Sequence, residues 1–279
     1  MTIDAIQQRL LATPGEFWRS LERDFFLNPW FYGVIVSVLL LERWMPADPR
    51  QSLLSKGTRQ DLVWVPFKLL LHAGFFPAVV VLLTLGYHRY LGFLTIEAVK
   101  DWPVPLRFGL GWLAGDFLFW LIHLIRHKVG FLWHFHAIHH SQRQLNFFTE
   151  YRVHPLDDLW AIAIGAIPVL MLSQATLTVA VIAWIAHWHT RIYHSNIRTH
   201  CGPLKYVLVT PQSHRVHHSI EPGHQDKNFG LTFSIWDHLF GTQHRNDDEY
   251  PQTGVAGLES PTFLQQLVYP FQKTMPADR

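Results

Sequence analysis

The chain has 279 residues and a formal net charge of +2, so its charge balance gives no reason to expect a nucleic-acid partner. Charged residues make up 16% of the chain, against about 25% in a typical soluble domain, and 49% of the residues are hydrophobic. The single cysteine, Cys201, excludes an intramolecular disulfide and a metal site built from several thiolates. This composition favours one integral membrane unit.

Two apolar runs follow an amphipathic start. Residues 1–28 mix charged and apolar positions and lack the apolar core of a cleaved signal peptide, which predicts an interfacial helix. Residues 29–41 are apolar but shorter than the roughly 20 residues of a usual span, so they require tilt or flanking aromatic residues. Residues 62–86 are interrupted by Pro66 and Pro77, which predicts a kinked helix, with a re-entrant hairpin as the alternative.

The third apolar run, residues 106–127, carries Asp116, His123 and His127. The steps of seven and four residues place all three side chains on one stripe of a helix. Because an unpaired carboxylate in lipid is costly, Asp116 is expected to face the protein interior. We predict that it accepts a hydrogen bond from a ligand imidazole and fixes the orientation of that ring.

The fourth apolar run, residues 159–187, is long enough for one span or for a helical hairpin. A hairpin with arms at 158–172 and 175–193 is favoured, because the histidine clusters on either side must reach the same membrane face to share a metal. The predicted fold is therefore all-α, with about four transmembrane helices and a histidine-rich helical cap. The domain is predicted at 29–243, with a tail at 244–279. Basic residues near the cap place it in the cytoplasm by the positive-inside rule, although three arginines in residues 1–28 count against this.

Histidines form three groups. They are His123-x3-His127, His136-x2-His139-His140 and His214-x2-His217-His218, and 15 of the 19 histidines lie in residues 123–154 and 187–224. Neutral imidazole is the commonest protein metal ligand and suits iron, zinc or copper. Eight imidazoles exceed what one metal needs, which indicates two metals. Two irons at the membrane face would suit the activation of oxygen against an unreactive C–H bond.

These groups and their surrounding words resemble the integral-membrane fatty acid hydroxylase and sterol desaturase superfamily. The words are DFLFWLIHLIRH, LWHFHAIHHS, FFTEYRVHPLDD, YHSNIR, TPQSHRVHHS, DKNFG and WDHLFGT, and the resemblance runs from about residue 57 to 243. It implies a non-haem di-iron centre, O2 as co-substrate and a lipid substrate. The ligands implied are His123, His127, His136, His139, His140, His194, His214, His217 and His218, with His154 as a tenth and Asn196 hydrogen-bonded near them.

Other functions fit parts of this pattern. A lipid or sterol desaturase would use the same centre, and a zinc-dependent membrane hydrolase, a carrier of bis-histidine haems and a non-catalytic relative are further alternatives. The sequence resembles neither a haem domain nor a flavin or nicotinamide fingerprint, so a separate electron donor is expected. We expect His134, His187, His189, His200, His224 and His238 not to be ligands, and His187 and His189 are candidates for contact with the substrate or with a ligand side chain.

Overall fold

The computed structural model describes residues 29–172, 176–258 and 262–272. Over these residues the chain is helical and contains isolated β-bridges in place of strands, which confirms the all-α prediction. The predicted amphipathic helix at 1–28 lies outside the described residues.

Ten α-helices are present among the described residues. They are α1 (Pro29–Trp44), α2 (Lys56–Leu70), α3 (Phe76–Gly86), α4 (Val104–Lys128), α5 (Gly130–His140), α6 (Pro155–Met171), α7 (Thr176–His194), α8 (Pro211–His217), α9 (Ile235–Phe240) and α10 (Phe263–Val268). Two π-helical turns, Leu71–Phe75 and Tyr87–Leu91, follow α2 and α3.

The second apolar run is continuously helical from residue 56 to residue 91. This agrees with the predicted kinked helix, because a re-entrant hairpin would need a non-helical turn within the run. The interruption is the π-turn at Leu71–Phe75, which precedes Pro77 in the first turn of α3. Proline has no N–H to donate to the preceding turn, so the regular helical ladder is broken at this point.

One helix among the described residues, α4, is long and apolar enough to cross a membrane. Its 25 residues extend about 37 Å at 1.5 Å per residue, which exceeds the roughly 30 Å of a bilayer core. α6 and α7 have bounds close to the two predicted hairpin arms. Their lengths, 17 and 19 residues, fall below the roughly 20 residues of a usual span. The four-span topology is therefore not confirmed by helix length and composition.

α4 packs closely on α6 and leads into the histidine-bearing helices. An added Cβ at Gly165 of α6 would lie 3.0 Å from the ring of Phe119 on α4, so a glycine permits this approach. After a single residue, Val129, the chain turns from α4 into α5, whose last turn carries His139 and His140. The residue spacing thus brings two histidine groups to the same end of the helices.

The described residues beyond 243 pack against the rest of the folded chain. The indole Nε1 of Trp64 on α2 donates to Gln266 Oε1 at 2.7 Å, and the Thr253 hydroxyl donates to Gln142 O at 2.9 Å. Arg215 of α8 donates from Nε to Pro251 O at 3.0 Å. The predicted tail at 244–279 is corrected in its described part, because these buried hydrogen bonds join it to α2, to the segment after α5 and to α8.

Candidate metal centre

Nine histidines converge in two adjacent groups, and within each group the candidate ligand nitrogens lie within 4.8 Å of one another. All nine were predicted as ligands. Eight are buried and His123 is half-buried. The five-histidine group contains His123, His127, His136, His140 and His217, and the four-histidine group contains His139, His194, His214 and His218.

Each His-x2-His-His motif divides between the two groups. In α5, His136 and His140 belong to the five-histidine group and His139 to the other. At α8 the division is reversed, because His214 and His218 enter the four-histidine group and His217 the five-histidine group. Residues i and i+4 share a helix face while residue i+3 is displaced around the axis, so the spacing itself supplies both groups.

Hydrogen bonds at Nδ1 determine the tautomer of four of these rings. The Nδ1 atoms of His123 and His217 lie 2.9 and 2.8 Å from the carbonyl oxygens of Phe229 and Lys227. Those of His139 and His194 lie 3.2 and 2.6 Å from carbonyl oxygens. A carbonyl only accepts, so each Nδ1 carries the proton and donates. In the neutral ring the Nε2 atom is then unprotonated and carries a lone pair that can bind a metal.

These lone pairs face each other. The Nε2 atoms of His217 and His123 are 3.0 Å apart, and those of His194 and His139 are 3.1 Å apart. With both rings protonated at Nδ1, no proton lies between the two nitrogens, and a cation is needed to make the contact favourable. Two nitrogens bound about 2.1 Å from one ion at a right angle lie about 3.0 Å apart, against about 3.4 Å at a tetrahedral angle. The donor set therefore fits metal ions with more than four ligands.

Burial keeps the imidazoles in the neutral form that binds metals. It lowers the pKa of His139, His140, His214 and His218 well below the ordinary value, and the neighbouring histidines lower it further. The pKa of His217 falls to about 3, chiefly through burial. At neutral pH the two groups thus present uncharged donors.

Carboxylates outside the predicted set support the rings. Asp157 Oδ2 accepts from Nδ1 of His136 at 2.9 Å, and its Oδ1 lies 3.1 Å from Nε of Arg126. Asp61, which is fully buried, accepts from Nε of Arg152 at 2.6 Å and so holds the residue whose carbonyl faces His139. Sequence reasoning missed both roles, although Asp157 lies in the word FFTEYRVHPLDD.

The DKNFG segment is a tight loop that presents two carbonyl groups to two ligands. Asn228 adopts a left-handed conformation with φ 57°, which exposes the carbonyls of Lys227 and Phe229 to His217 and His123. The carboxylate of Asp237 accepts from the amides of Phe229 and Gly230 at 2.9 and 2.8 Å. The side chain of Asp237 thereby holds the backbone of the loop in place.

Asp116 is buried, as predicted, but its hydrogen-bond partners correct the rest of the prediction. Its carboxylate accepts from the amides of Thr232 and Phe233 at 2.9 and 3.2 Å and from Trp236 Nε1 at 2.9 Å. These three donors come from residues that follow the DKNFG loop in the chain. Asp116 therefore anchors the turn after that loop to α4, and the described contacts of its carboxylate include no imidazole.

His154 is placed apart from both groups, which corrects its prediction as a tenth ligand. Its Nδ1 accepts from the amide of Leu156 at 3.2 Å and caps α6, while its Nε2 donates to Leu267 O at 3.2 Å. Both ring nitrogens are thus used in hydrogen bonds.

Asn196 is corrected in the same way, because its described contacts do not reach a ligand ring. Its side chain exchanges hydrogen bonds with the backbone of Asp48, and its backbone N–H donates to the carboxylate of Glu42. It therefore fastens the end of α7 to the segment after α1.

A cavity of about 500 Å³ extends between α3, α4, α6 and α7 to the histidine groups. Most of its wall is apolar and includes Val80, Trp112, Phe119, Ile162 and Leu170. Its inner end is lined by the histidines His123, His136, His139, His194 and His214. An apolar cavity that ends at a cluster of metal-binding side chains can take an elongated apolar molecule and present one part of it to the metals.

Several histidines outside the two groups have other partners. His187 lines the cavity, in keeping with its predicted option of substrate contact. Nε2 of His189 lies 2.9 Å from Val209 O. His224 and His244 both lie 2.8 Å from the same oxygen of Glu249, which ties together two parts of the cap. None of these four histidines belongs to the five- or four-histidine group.

Comparison with known proteins agrees with this site. The fatty acid hydroxylase family profile matches residues 108–242. The ornithine lipid hydroxylase of Rhizobium tropici is 30% identical over 92% of this chain and 78% of its own length. Alkylglycerol monooxygenases of Caenorhabditis elegans and Homo sapiens are 35% and 28% identical over 59% and 57% of this chain. This chain spans about a third of those monooxygenases, 32% and 35% of their lengths.

No solved structure shows significant similarity to the chain. The relative from Rhizobium tropici matches along most of both proteins, and the family profile covers all nine histidines of the two groups and the supporting DKNFG loop. The chain belongs to the fatty acid hydroxylase family, a class of oxygen-dependent enzymes that act on lipids.

Proposed function

We propose that the protein is a membrane-bound oxygenase that hydroxylates a lipid with O2, using two iron ions held by the nine converging histidines. The observation that carries the proposal is that unprotonated Nε2 atoms face each other, as in His194 and His139, where the histidines line an apolar cavity. Five and four neutral nitrogen donors suit two ions of a borderline metal. When bound, the irons would supply the activation of O2 that oxidation of a C–H bond requires.

The residues of the chain position the ions and the substrate. The carbonyls of Phe229 and Lys227 and the carboxylate of Asp157 hold three rings of the five-histidine group by their Nδ1 atoms. The carbonyls of Arg152 and Thr190 do the same in the other group. Such partners orient ligand rings and raise their basicity. The apolar wall binds the hydrocarbon of the substrate and keeps water away from the reacting carbon.

The relatives guide the choice of chemistry. The ornithine lipid relative is named a hydroxylase and the alkylglycerol relatives are named monooxygenases, which favours insertion of one oxygen atom over removal of two hydrogens. A zinc-dependent hydrolase fits less well, because a catalytic zinc uses three protein ligands and these groups offer five and four. Two electrons per turnover must come from a separate donor protein.

The direct test is turnover of purified protein with lipid extract, a reductant system and 18O2. The proposal expects products heavier by one 18O atom and no product without O2 or without reductant. Products lighter by two hydrogens would identify a desaturase, and oxygen-independent release of a lipid fragment would identify a hydrolase. Either result contradicts the proposal.

We also propose four membrane spans, with the histidine end in the cytoplasm. Cys201, the single cysteine, is exposed in the cap and provides a native probe of this orientation. A membrane-impermeant maleimide should label the protein in permeabilised cells and leave it unlabelled in intact cells, with Cys201→Ser as the control. Labelling in intact cells would place the cap on the outer side.

A further inference from the structure

One wall of the cavity, beside the four-histidine group, is polar. It consists of Lys68, Glu150, Asp158 and His187. Nζ of Lys68 lies 3.4 Å from Asp158 Oδ1 and donates to Glu150 O at 3.2 Å. Nδ1 of His187 lies 3.6 Å from Glu150 Oε1. We call these four residues the polar wall.

The polar wall lies next to the four-histidine group. Oε2 of Glu150 is 3.6 Å from Nδ1 of His194, a member of the four-histidine group. The side chains of Lys68 and Asp158 are only 8% and 15% exposed, and both line the cavity. An ion pair in such a place is costly, and apolar residues of similar size would link α2 to α6 at least as well. A role in binding explains its position better than a role in stability.

The charges of the polar wall favour a cation. Lys68 contributes one positive charge, whereas Asp158 and Glu150 contribute two carboxylates. The wall therefore offers two carboxylates against one ammonium. A primary ammonium group of a ligand can donate three hydrogen bonds to such acceptors.

We propose that the polar wall binds the ammonium-bearing head group of the lipid substrate, so that the hydroxylated carbon lies in the head group and not in the middle of an acyl chain. This inference rests on the proposed function. A C–H bond of the head group is replaced by C–OH. One oxygen atom of O2 enters the product, and the other leaves as water with two protons and two electrons from the donor protein. The acyl chains occupy the apolar part of the cavity.

The first experiment measures binding without turnover. Two lipids with identical acyl chains are compared, one with a primary amine in its head group and one with a hydroxyl in its place, using iron-loaded protein without O2 or reductant. The wild type should bind the amine lipid about tenfold more tightly, as expected for a charge-assisted hydrogen bond. Asp158→Asn should reduce this preference to less than about threefold without changing the affinity for the hydroxyl lipid.

Two further variants make the result decisive. Asp248→Asn, at an exposed position of the cap, should retain the full preference. Lys68→Met combined with Asp158→Asn removes both members of the ion pair. It keeps the test available if the single variant does not fold, and it should also lose the preference. Equal binding of both lipids by the wild type, or an unchanged preference in the folded double variant, would overturn the inference.

The second experiment locates the inserted oxygen by fragmentation mass spectrometry of the product. The inference expects 18O in the head-group fragment, and 18O in an acyl fragment overturns it while leaving the proposed hydroxylation intact. Amine-selective binding with no product from either lipid supports the polar wall and contradicts hydroxylation. The two proposals therefore fail in different ways.

Discussion

The Nε2 atoms of His217 and His123 lie 3.0 Å apart although 94 residues separate the two histidines in the chain. Their Nδ1 atoms donate to Lys227 O and Phe229 O, two carbonyls of one loop. The loop therefore sets the tautomer of two ligands from different helices. A disturbance of the loop backbone should affect both rings together.

Gly230→Ala tests this role of the loop. The added Cβ would lie 2.7 Å from Phe233 O and 2.8 Å from Val209 Cγ2, so the backbone must shift. We expect a loss of stability of about 1–3 kcal/mol and a lower iron content. Thermal unfolding and metal analysis measure the two effects. Gly223→Ala is the matched control, because its Cβ would meet nothing within 4 Å. Equal iron content and melting temperature in both variants would argue against the role of the loop.

Alanine at His139 and at His154 should have different effects. His139→Ala removes a donor of the four-histidine group and should release about one of two irons. His154→Ala should keep both irons and cost about 1 kcal/mol, since it removes a helix cap. Iron content and unfolding free energy of the membrane-inserted variants distinguish the two cases. Loss of iron from His154→Ala would restore it as a ligand.

Acid should destabilise the metal-free protein well above the range in which carboxylates titrate. The folded pKa of His217 is about 3, below its ordinary value of 6.5, so the unfolded state binds a proton between these limits and the folded state does not. The free energy of unfolding is then fully present above pH 6.5 and falls as the pH drops toward 3. Denaturant unfolding from pH 7 to pH 4 measures the slope.

His217→Asn should reduce that slope by the amount that corresponds to the uptake of about one proton on unfolding. His238→Asn, at an exposed position of α9, is the control substitution of a histidine outside both groups. A stability that does not vary between pH 7 and pH 4 would contradict the burial of neutral histidines.

The cavity can be blocked without touching the histidines. Ala161 of α6 lines it, so Ala161→Trp should fill the space and lower kcat/KM by about tenfold or more. Iron content should not change. Ala256→Trp, at an exposed position, should behave as wild type. Wild-type turnover of Ala161→Trp with the natural lipid would show that the substrate does not enter this cavity.

The spacing of the histidines predicted the site better than any other feature, because i, i+3 and i+4 positions have a defined geometry on a helix. Nine of the ten proposed ligands converge. His154 failed because residue spacing does not tell whether a ring caps a helix or faces a metal. His194 stands alone in the sequence and was placed by resemblance, and it reaches His139 at 3.1 Å.

The supporting groups were harder to predict. Asp116 shares a helical stripe with His123, yet its donors come from residues 232–236, more than a hundred residues away. Asp61 holds Arg152 from α2 in the same way. Such partnerships depend on tertiary contacts between distant segments, which neither periodicity nor composition records. The polar wall was invisible for the same reason, since Lys68 and Asp158 meet across two helices.

The most direct measurement is the metal content of the purified wild-type protein, combined with Mössbauer spectroscopy after growth on 57Fe. We expect about two irons per chain, in line with one ion for each histidine group, and a spectrum of coupled high-spin irons with nitrogen ligands. A protein that contains one metal per chain, or that contains zinc and remains fully active, would contradict the di-iron account.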